Sequence, residues 1–240
     1  MSSRPRTSMS SPALARVVEL VVHRGTQRVL DGVSETLCQG EVVAIMGENG
    51  SGKTTLIEAF AGLIPLRSGD VIWAEDGNSI VVRDSQGRRN QPPSMGLTLQ
   101  KGGVCGDETV MERISVSLSV AGIEHSDDQI MELLSLWGLE HRANDRLAHL
   151  SGGQSRRVAI LGGLAPAALS NSPLVVLLDE PSEGLDDSAK DILRNWIRSL
   201  SSRNHAILMA THDKDISSTA DRVLTIRAVS YTHLRAHETV

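Results

Sequence analysis

Residues 47–54 have the types and spacing of a loop that holds phosphate groups. They read Gly47, Glu48, Asn49, Gly50, Ser51, Gly52, Lys53 and Thr54, which fits G-x-x-x-x-G-K-[ST]. Glycines let the backbone curl so that N–H groups point inward, and the helix that follows adds its positive N-terminal end. Lys53 would reach the β- and γ-phosphates, Thr54 would ligate Mg²⁺, and Thr55 follows them. The alternative is a glycine-rich turn that binds nothing.

A second group of polar residues follows an apolar run. The run at 174–178 is followed directly by Asp179 and Glu180. Asp179 stands where Mg²⁺ needs a carboxylate, and Glu180 is suited to orient and deprotonate an attacking water. An acidic turn after a strand would look similar, but the lysine of the loop and the magnesium carboxylate work as a set.

Alternating strands and helices must position these residues. The patterns predict strands at 16–22, 29–37, 42–46, 71–73, 80–82, 97–99, 174–178 and 206–211. They predict helices at 54–62, 112–120, 127–136 and 189–200, with Ser126 as an N-cap. Such alternation indicates an α/β fold with a parallel sheet covered on both faces.

Composition excludes several classes of protein. The 240 residues carry 24 basic and 29 acidic side chains, a net charge of −5, so no nucleic-acid partner is expected. Cys38 and Cys105 form no CxxC, so neither a disulfide framework nor a cysteine zinc site is expected, and a reducing compartment is favoured. No apolar run approaches the roughly 18 residues needed to span a bilayer.

Both ends of the sequence are unusual. The first residues are rich in Ser and Arg, faintly like a transit peptide, but a disordered tail at 1–15 or a misassigned start upstream of Met9 is favoured. Residues 229–240 read like a translated sequencing-library adapter, so we predict an artefact there. The alternative is a metal-binding tail that uses His233 and His237.

The run Leu150, Ser151, Gly152, Gly153 and Gln154 resembles the signature of ATP-binding cassette (ABC) ATPases. The motifs also follow one another in the order of that family, and the resemblance covers about 16–227. This order is the loop, Gln100, the signature, Asp179–Glu180 and His212. The resemblance implies a phosphate-loop ATPase core with a parallel sheet, an N-terminal antiparallel β subdomain and an inserted α-helical subdomain at about 101–150. The whole ABC domain would cover 16–228.

The resemblance also implies roles for single residues. Gln100 would contact Mg²⁺, and His212 would touch the γ-phosphate, although a histidine at a strand end can be purely structural. Ser151 and Gly153, with Gly152 and Gln154, would bind the γ-phosphate held by a second copy, at a helix N-terminus.

The sequence departs from the family at three places. The aromatic residue that usually stacks on adenine falls near His23, which offers less surface. Arg113 stands where Asn is usual at the start of the helical subdomain. Gly162 and Gly163 replace better helix formers, which predicts a loosened helix end.

The resemblance implies ATP hydrolysis, with ATP and Mg²⁺ bound in a head-to-tail homodimer or paired heterodimer. We expect an ATPase subunit that powers transport through a separate transmembrane permease, and that lies in the cytoplasm, peripheral on the cytoplasmic face of the membrane. By analogy, the size of the chain and its short helical insert mildly favour an exporter-type ATPase. The alternative is an ABC ATPase that acts in translation or DNA repair, and a phosphate-loop kinase or GTPase would leave the signature unexplained.

Overall fold

The apolar runs of the sequence form the buried strands of a parallel sheet. The computed structural model describes residues 11–75, 77–100, 106–227 and 230–235. The strands are β1 (Ala13–Arg24), β2 (Gln27–Cys38), β3 (Val42–Met46), β4 (Ser68–Glu75), β5 (Asn78–Asp84), β6 (Met95–Thr98), β7 (Val175–Asp179), β8 (Ala206–Ala210), β9 (Arg222–Arg227) and β10 (Ser230–Arg235). The helices are α1 (Lys53–Phe60), α2 (Val110–Val120), α3 (Asp127–Leu136), α4 (Gly152–Leu169), α5 (Asp187–Ser202) and α6 (Lys214–Ser217).

The larger sheet places the chemically important strands side by side. Its order in the described residues is β10-β9-β3-β8-β7-β6. The pairs from β9 to β6 are parallel, and β10 pairs with β9 in the antiparallel direction. The strands before the phosphate loop, before Glu180 and before His212 are therefore adjacent.

Both faces of this sheet are covered, which explains its continuous apolar runs. Along β3, Val42 and Ala44 pack into the core on one side, and Val43 and Ile45 pack into the core on the other. The strands β7 and β8 divide their side chains in the same way. A strand buried on both faces has no polar face to alternate with. This arrangement confirms the predicted α/β fold.

A smaller antiparallel sheet covers one side of α1. Its order in the described part of the chain is β2-β1-β4-β5, and β1 pairs with both β2 and β4. Strand β1 begins at Ala13, so residues 13–15 are ordered strand rather than part of a disordered tail. Residues 1–10 lie outside the described residues.

The predicted helical subdomain contains α2 and α3. Thr109 caps α2 and Ser126 caps α3, each in a capping box with the residue three positions later. Helix α2 buries Val110, Ile114 and Leu118, one residue from each turn. The cap at Ser126 agrees with the sequence analysis, while residues 101–105, with Cys105, are outside the described ranges.

The predicted loosened helix end after the signature is wrong. Helix α4 continues through Gly162, Gly163 and Pro166 to Leu169. A Cβ on Gly163 would lie 1.9 Å from Thr98 Oγ1, and a Cβ on Gly96 would lie 2.1 Å from the Gly163 carbonyl oxygen. Gly163 and Gly96 allow α4 and β6 to pack at close range, and this packing offsets the low helix propensity of Gly163.

The segment predicted as an adapter artefact contributes main chain to the larger sheet. Residues 230–235 form β10, whose backbone pairs with β9 in a register from Ser230 opposite Arg227 to Arg235 opposite Arg222. Residues 229 and 236–240, with His237, lie outside the described residues. The artefact therefore stays a prediction.

Candidate nucleotide site

The carboxyl ends of three adjacent parallel strands meet at one edge of the larger sheet. Strand β3 leads into the phosphate loop, β7 ends at Asp179, and β8 ends at Ala210, two residues before His212. The chain beyond the strands is held by a hydrogen bond from the Glu180 N–H to the Ala210 carbonyl, 2.8 Å long. Such an edge is where open α/β sheets bind ligands. The fold thus gathers three of the predicted motifs.

The phosphate loop is tightly wrapped backbone. Gly52 has φ +108°, and a Cβ on Gly47 would lie 2.3 Å from the Ile226 carbonyl oxygen, so neither position accepts a side chain without movement. Gly52 is also the N-cap of α1, and no side chain of the described residues caps this helix start. The first N–H groups of α1 are therefore available to an anion.

Lys53 lies inside the loop. Its side chain is 7% exposed, and Nζ donates hydrogen bonds to the carbonyls of Gly47 at 2.9 Å and Glu48 at 3.2 Å. Nζ also lies 3.9 Å from Glu180 Oε1. The ammonium group thus provides positive charge beside the loop amides and beside a buried carboxylate.

Thr54 and Asp179 form a donor set that fits Mg²⁺. The Thr54 hydroxyl donates to Asp179 Oδ2 at 2.8 Å. Asp179 is fully buried, and its Oδ1 has no hydrogen-bond partner among the described residues. Burial raises the pKa of the Asp179 carboxyl, although the hydrogen bonds from Thr54 and the Gln100 backbone oppose the shift. A divalent cation would satisfy the orphaned oxygen and favour the ionised form.

Glu180 is held in a strained conformation next to His212. Its φ of +47° is in the left-handed region, which costs roughly 1–2 kcal/mol for a residue with a Cβ. Its carboxylate oxygen Oε2 accepts the His212 backbone N–H at 3.3 Å and lies 2.8 Å from His212 Nδ1. Because Nδ1 faces the carboxylate, the ring nitrogen Nε2 is left for another partner.

The side chain of Gln100, which is predicted to contact Mg²⁺, forms a hydrogen bond with Glu183. Its Nε2 donates to Glu183 Oε2 at 3.0 Å. Gln100 also lines the cavity at the phosphate loop. Its role as a ligand of Mg²⁺ stays a prediction.

A cavity of about 340 Å³ opens beside the loop. Its walls are Arg24, Val29, Asn49, Gly50, Gly52, Lys53, Thr54, Thr55, Gln100 and Glu180. His23 is not among these residues, whereas its neighbour Arg24 is, and the stacking of adenine on His23 stays a prediction. Inside the loop, Ser51 Oγ is buried and lacks a hydrogen-bond partner among the described residues.

The signature residues lie at a separate, exposed helix start. Ser151 caps α4 in a capping box with Gln154, and Gly152 and Gly153 form the first turn. Gly152 and Gly153 are exposed, and the four signature residues Ser151, Gly152, Gly153 and Gln154 do not line the cavity at the phosphate loop. The first N–H groups of this turn have no acceptor within the helix. The structure thus separates the signature from the loop of its own chain.

Two residues of this region were not among the predicted site residues. Glu183 accepts the side-chain amide of Gln100, and Arg156 donates to main-chain carbonyls beside Glu180. Both positions stand within or beside recognised motifs. The contacts of Arg156 depend on the placement of α4 against β7, and the bond from Gln100 to Glu183 depends on the pairing of β6 with β7. The sequence holds no local signal for either arrangement.

Comparison with known proteins defines the class. The ABC transporter family profile matches residues 30–183. This chain is 34% identical over 206 residues to the macrolide export ATP-binding/permease protein MacB of Psychrobacter cryohalolentis, covering 84% of this chain and 30% of that protein. It is 32% identical over 224 residues to the lipoprotein-releasing system ATP-binding protein LolD of Granulibacter bethesdensis, covering 90% of this chain and 95% of that protein. The chain belongs to the ABC transporter family.

Importers are also among the similar proteins. The sulfate/thiosulfate import ATP-binding protein CysA of Bordetella parapertussis is 35% identical over 213 residues, which cover 85% of this chain and 56% of that protein. The chain therefore spans about a third to a half of the length of the MacB and CysA relatives and nearly the full length of LolD.

Solved structures show the same fold. The ATP-binding subunit of an ABC transporter aligns with a TM-score of 0.76 at 24% identity, over 92% of this chain and 90% of that chain. The ATP-binding cassette MJ0796, a dimer bound to ADP and Pi, aligns with a TM-score of 0.76 at 22% identity, over 93% of this chain and all of that one. In the described part of the chain, no helix has the length and apolar character needed to cross a bilayer.

Proposed function

We propose that this chain binds and hydrolyses ATP and that it is the ATPase subunit of a membrane transporter. The observation that carries the proposal is the Thr54–Asp179 hydrogen bond, together with the orphaned Asp179 oxygen and the Lys53 ammonium 3.9 Å from Glu180 Oε1. Membership of the ABC transporter family supports the same assignment.

The residues divide the chemistry among them. Amides of the loop and Lys53 hold the β- and γ-phosphates. Thr54 and Asp179, with Gln100, would hold Mg²⁺, and the ion would supply positive charge to neutralise the β- and γ-phosphate oxygens. Glu180 orients the attacking water and accepts its proton, while His212 holds the Glu180 carboxylate through Nδ1 and presents Nε2 to the γ-phosphate.

A second copy completes each site. The signature residues of one chain lie away from the cavity of that chain, and their exposed helix start suits an anion. In the proposed dimer, Ser151 and Gly153 of one copy bind the γ-phosphate held by the other. Two bound ATP molecules close the dimer, and hydrolysis reopens it.

A separate cleft suits the membrane subunit. It encloses about 650 Å³ between the end of α1 and helix α2, and it shares no lining residue with the cavity at the loop. The apolar residues Leu63, Val116 and Val120 line it and are 43%, 47% and 79% exposed. Arg89 adds positive charge, whereas the charge of Arg113, which also lines the cleft, is paired with Glu108 at 3.2 Å. We place a cytoplasmic segment of the permease here, which would hold the chain at the cytoplasmic face of the membrane.

The relatives limit how far the proposal extends. Proteins named for export and for import match at similar identity, so no direction of transport is part of it. Their names describe transporter components and do not favour the alternative role in translation or DNA repair.

Hydrolysis of ATP by the purified chain tests the proposal. We expect phosphate release that requires Mg²⁺ and that rises more than linearly with protein concentration, because a monomer lacks the second signature. The Lys53→Met variant should lose this activity, while Lys214→Met, at a lysine in α6, should keep it. A parent chain that releases no phosphate at high concentration would refute the proposed function.

A further inference from the structure

The side chain of Arg156 joins the helix after the signature to the catalytic strand. Its Nη2 donates to the carbonyl oxygens of Glu180 at 2.6 Å and Asp179 at 3.3 Å, and its Nε donates to the Glu183 carbonyl at 3.1 Å. Arg156 lies on the second turn of α4, five residues after Ser151. One planar group therefore spans the end of β7 and the turn that follows it.

These contacts act on a residue whose backbone is strained. Glu180 keeps φ +47° because its surroundings fix it on every side. Its N–H donates to Ala210, its carbonyl accepts from Arg156, and its carboxylate meets His212. Of these three partners of Glu180, Ala210 and His212 lie at the sheet edge, whereas Arg156 lies on helix α4.

The environment of Arg156 requires a guanidinium. The group is half-buried among carbonyls, and burial lowers the pKa of Arg156, while the nearby carboxylates of Glu183, Asp179 and Glu180 oppose that shift. Arginine offers donors in a fixed planar arrangement that can reach three carbonyls at once, whereas the compact ammonium of lysine cannot match all three.

We propose that Arg156 is a positioning residue for the catalytic step. By holding the Glu180 carbonyl it fixes the left-handed turn that aims the Glu180 carboxylate at the attacking water. It also links the helix that begins at Ser151, where the γ-phosphate of the second copy binds, to the carboxylate of its own site. This role rests on the proposed function of Glu180.

The variant Arg156→Met removes the donors and keeps an unbranched apolar stem. Because Glu180 relaxes and its carboxylate moves, we expect kcat for ATP to fall by roughly 10- to 100-fold, while KM changes by less than about threefold. Arg156→Lys should recover part of kcat, since one donor can return.

Arg203 supplies a matched control. It also donates to two main-chain carbonyls, those of Ala168 at 2.8 Å and Ser170 at 2.9 Å, but at the opposite end of α4. Arg203→Met should lower the melting temperature about as much as Arg156→Met and leave kcat at the parental value. Equal losses of kcat in both variants would overturn the proposal.

A double variant shows whether Arg156 acts through Glu180. In single-turnover experiments on Glu180→Gln, adding Arg156→Met should cause no further loss, because the base is already absent. A further loss by the same factor as in the parent would overturn the assignment.

A crystal structure of Arg156→Met separates this proposal from the proposed function. We expect Glu180 to leave the left-handed region and its carboxylate to leave His212 Nδ1. An unchanged Glu180 would overturn the proposal even if the parent chain hydrolysed no ATP.

Discussion

The Thr54 hydroxyl donates to Asp179 Oδ2 at 2.8 Å and so joins two motifs that are 125 residues apart in the sequence. The bond exists because β3 and β7 lie on either side of β8, with their carboxyl ends at one edge. It leaves the other oxygen of a fully buried carboxylate without a partner in the described residues. Asp179 is therefore suited to hold a cation, and its buried carboxylate destabilises the folded chain when no cation is bound.

Replacing Asp179 with Asn should therefore separate activity from stability. We expect kcat to fall at least about 100-fold, since the magnesium carboxylate is lost. Burial raises the pKa of the Asp179 carboxyl above its ordinary value, so this group contributes less to the stability of the folded chain as the pH rises past that value. Asp179→Asn should thus melt at a higher temperature than the parent in the absence of nucleotide and Mg²⁺.

The exposed Asp191, which pairs with Arg194 on α5, provides the control. Asp191→Asn should change neither kcat nor the melting temperature by more than the error of measurement. A lower melting temperature for Asp179→Asn, or parental activity in it, would contradict the account of this carboxylate.

The glycine pair in α4 makes a prediction about packing. In Gly163→Ala the new Cβ would meet Thr98 Oγ1 at 1.9 Å, so the helix and β6 must separate. We expect a loss of about 1–3 kcal/mol in the free energy of unfolding, measured with denaturant. Gly162→Ala meets the movable Ser117 Oγ at 3.0 Å and gains helix propensity, so it should be neutral or slightly stabilising. Equal effects of the two changes would refute the close contact.

Because of the buried His205, we expect the free energy of unfolding to depend on pH. It is buried, and its Nδ1 accepts the Leu174 N–H at 3.0 Å, which requires a neutral ring. Burial, aided by the charge of Arg203, lowers the pKa of His205 from 6.5 to about 4. Between these values the unfolded chain binds a proton that the folded chain does not, so stability falls as the pH falls from 6.5 to 4. The full loss is about 3 kcal/mol.

Replacing His205 with Asn isolates this effect from the titration of carboxylates. The Asn side-chain oxygen can still accept from Leu174, and it does not titrate. The difference in the free energy of unfolding between the parent and His205→Asn should shrink toward pH 4 and remain constant above pH 7. A difference that stays constant from pH 7 to pH 4 would show that His205 is not held neutral.

The cleft beside α2 predicts where the membrane subunit binds. Val120→Asp places a charge on the most exposed apolar residue of the cleft and should abolish co-purification with a permease encoded beside this gene. Leu136→Asp, on a leucine of α3 that is 55% exposed and outside the cleft, should retain it. Neither change should alter the ATPase activity of the isolated chain. Loss of the complex in both variants, or in neither, would contradict the placement.

Motifs with a local physical basis were predictable from the sequence, whereas contacts made by tertiary packing were not. The phosphate loop, the N-cap Ser126 and the buried runs of β3, β7 and β8 each carry their own signal in residue type or period. The reach of Arg156 depends on how α4 meets β7, and the bond between Gln100 and Glu183 depends on the pairing of β6 with β7. Gly163 was misinterpreted because helix propensity was considered without the strand that packs against it.

The cycle in which two copies of this chain close around ATP and Glu180 opens them by hydrolysis is central to the proposed function. Its most direct test is the molar mass of Glu180→Gln in solution with ATP and Mg²⁺, measured by light scattering after size exclusion. We expect a stable dimer with ATP that is absent with ADP and weaker in the parent. A variant that dimerises no more strongly than the parent under ATP would contradict the proposed cycle.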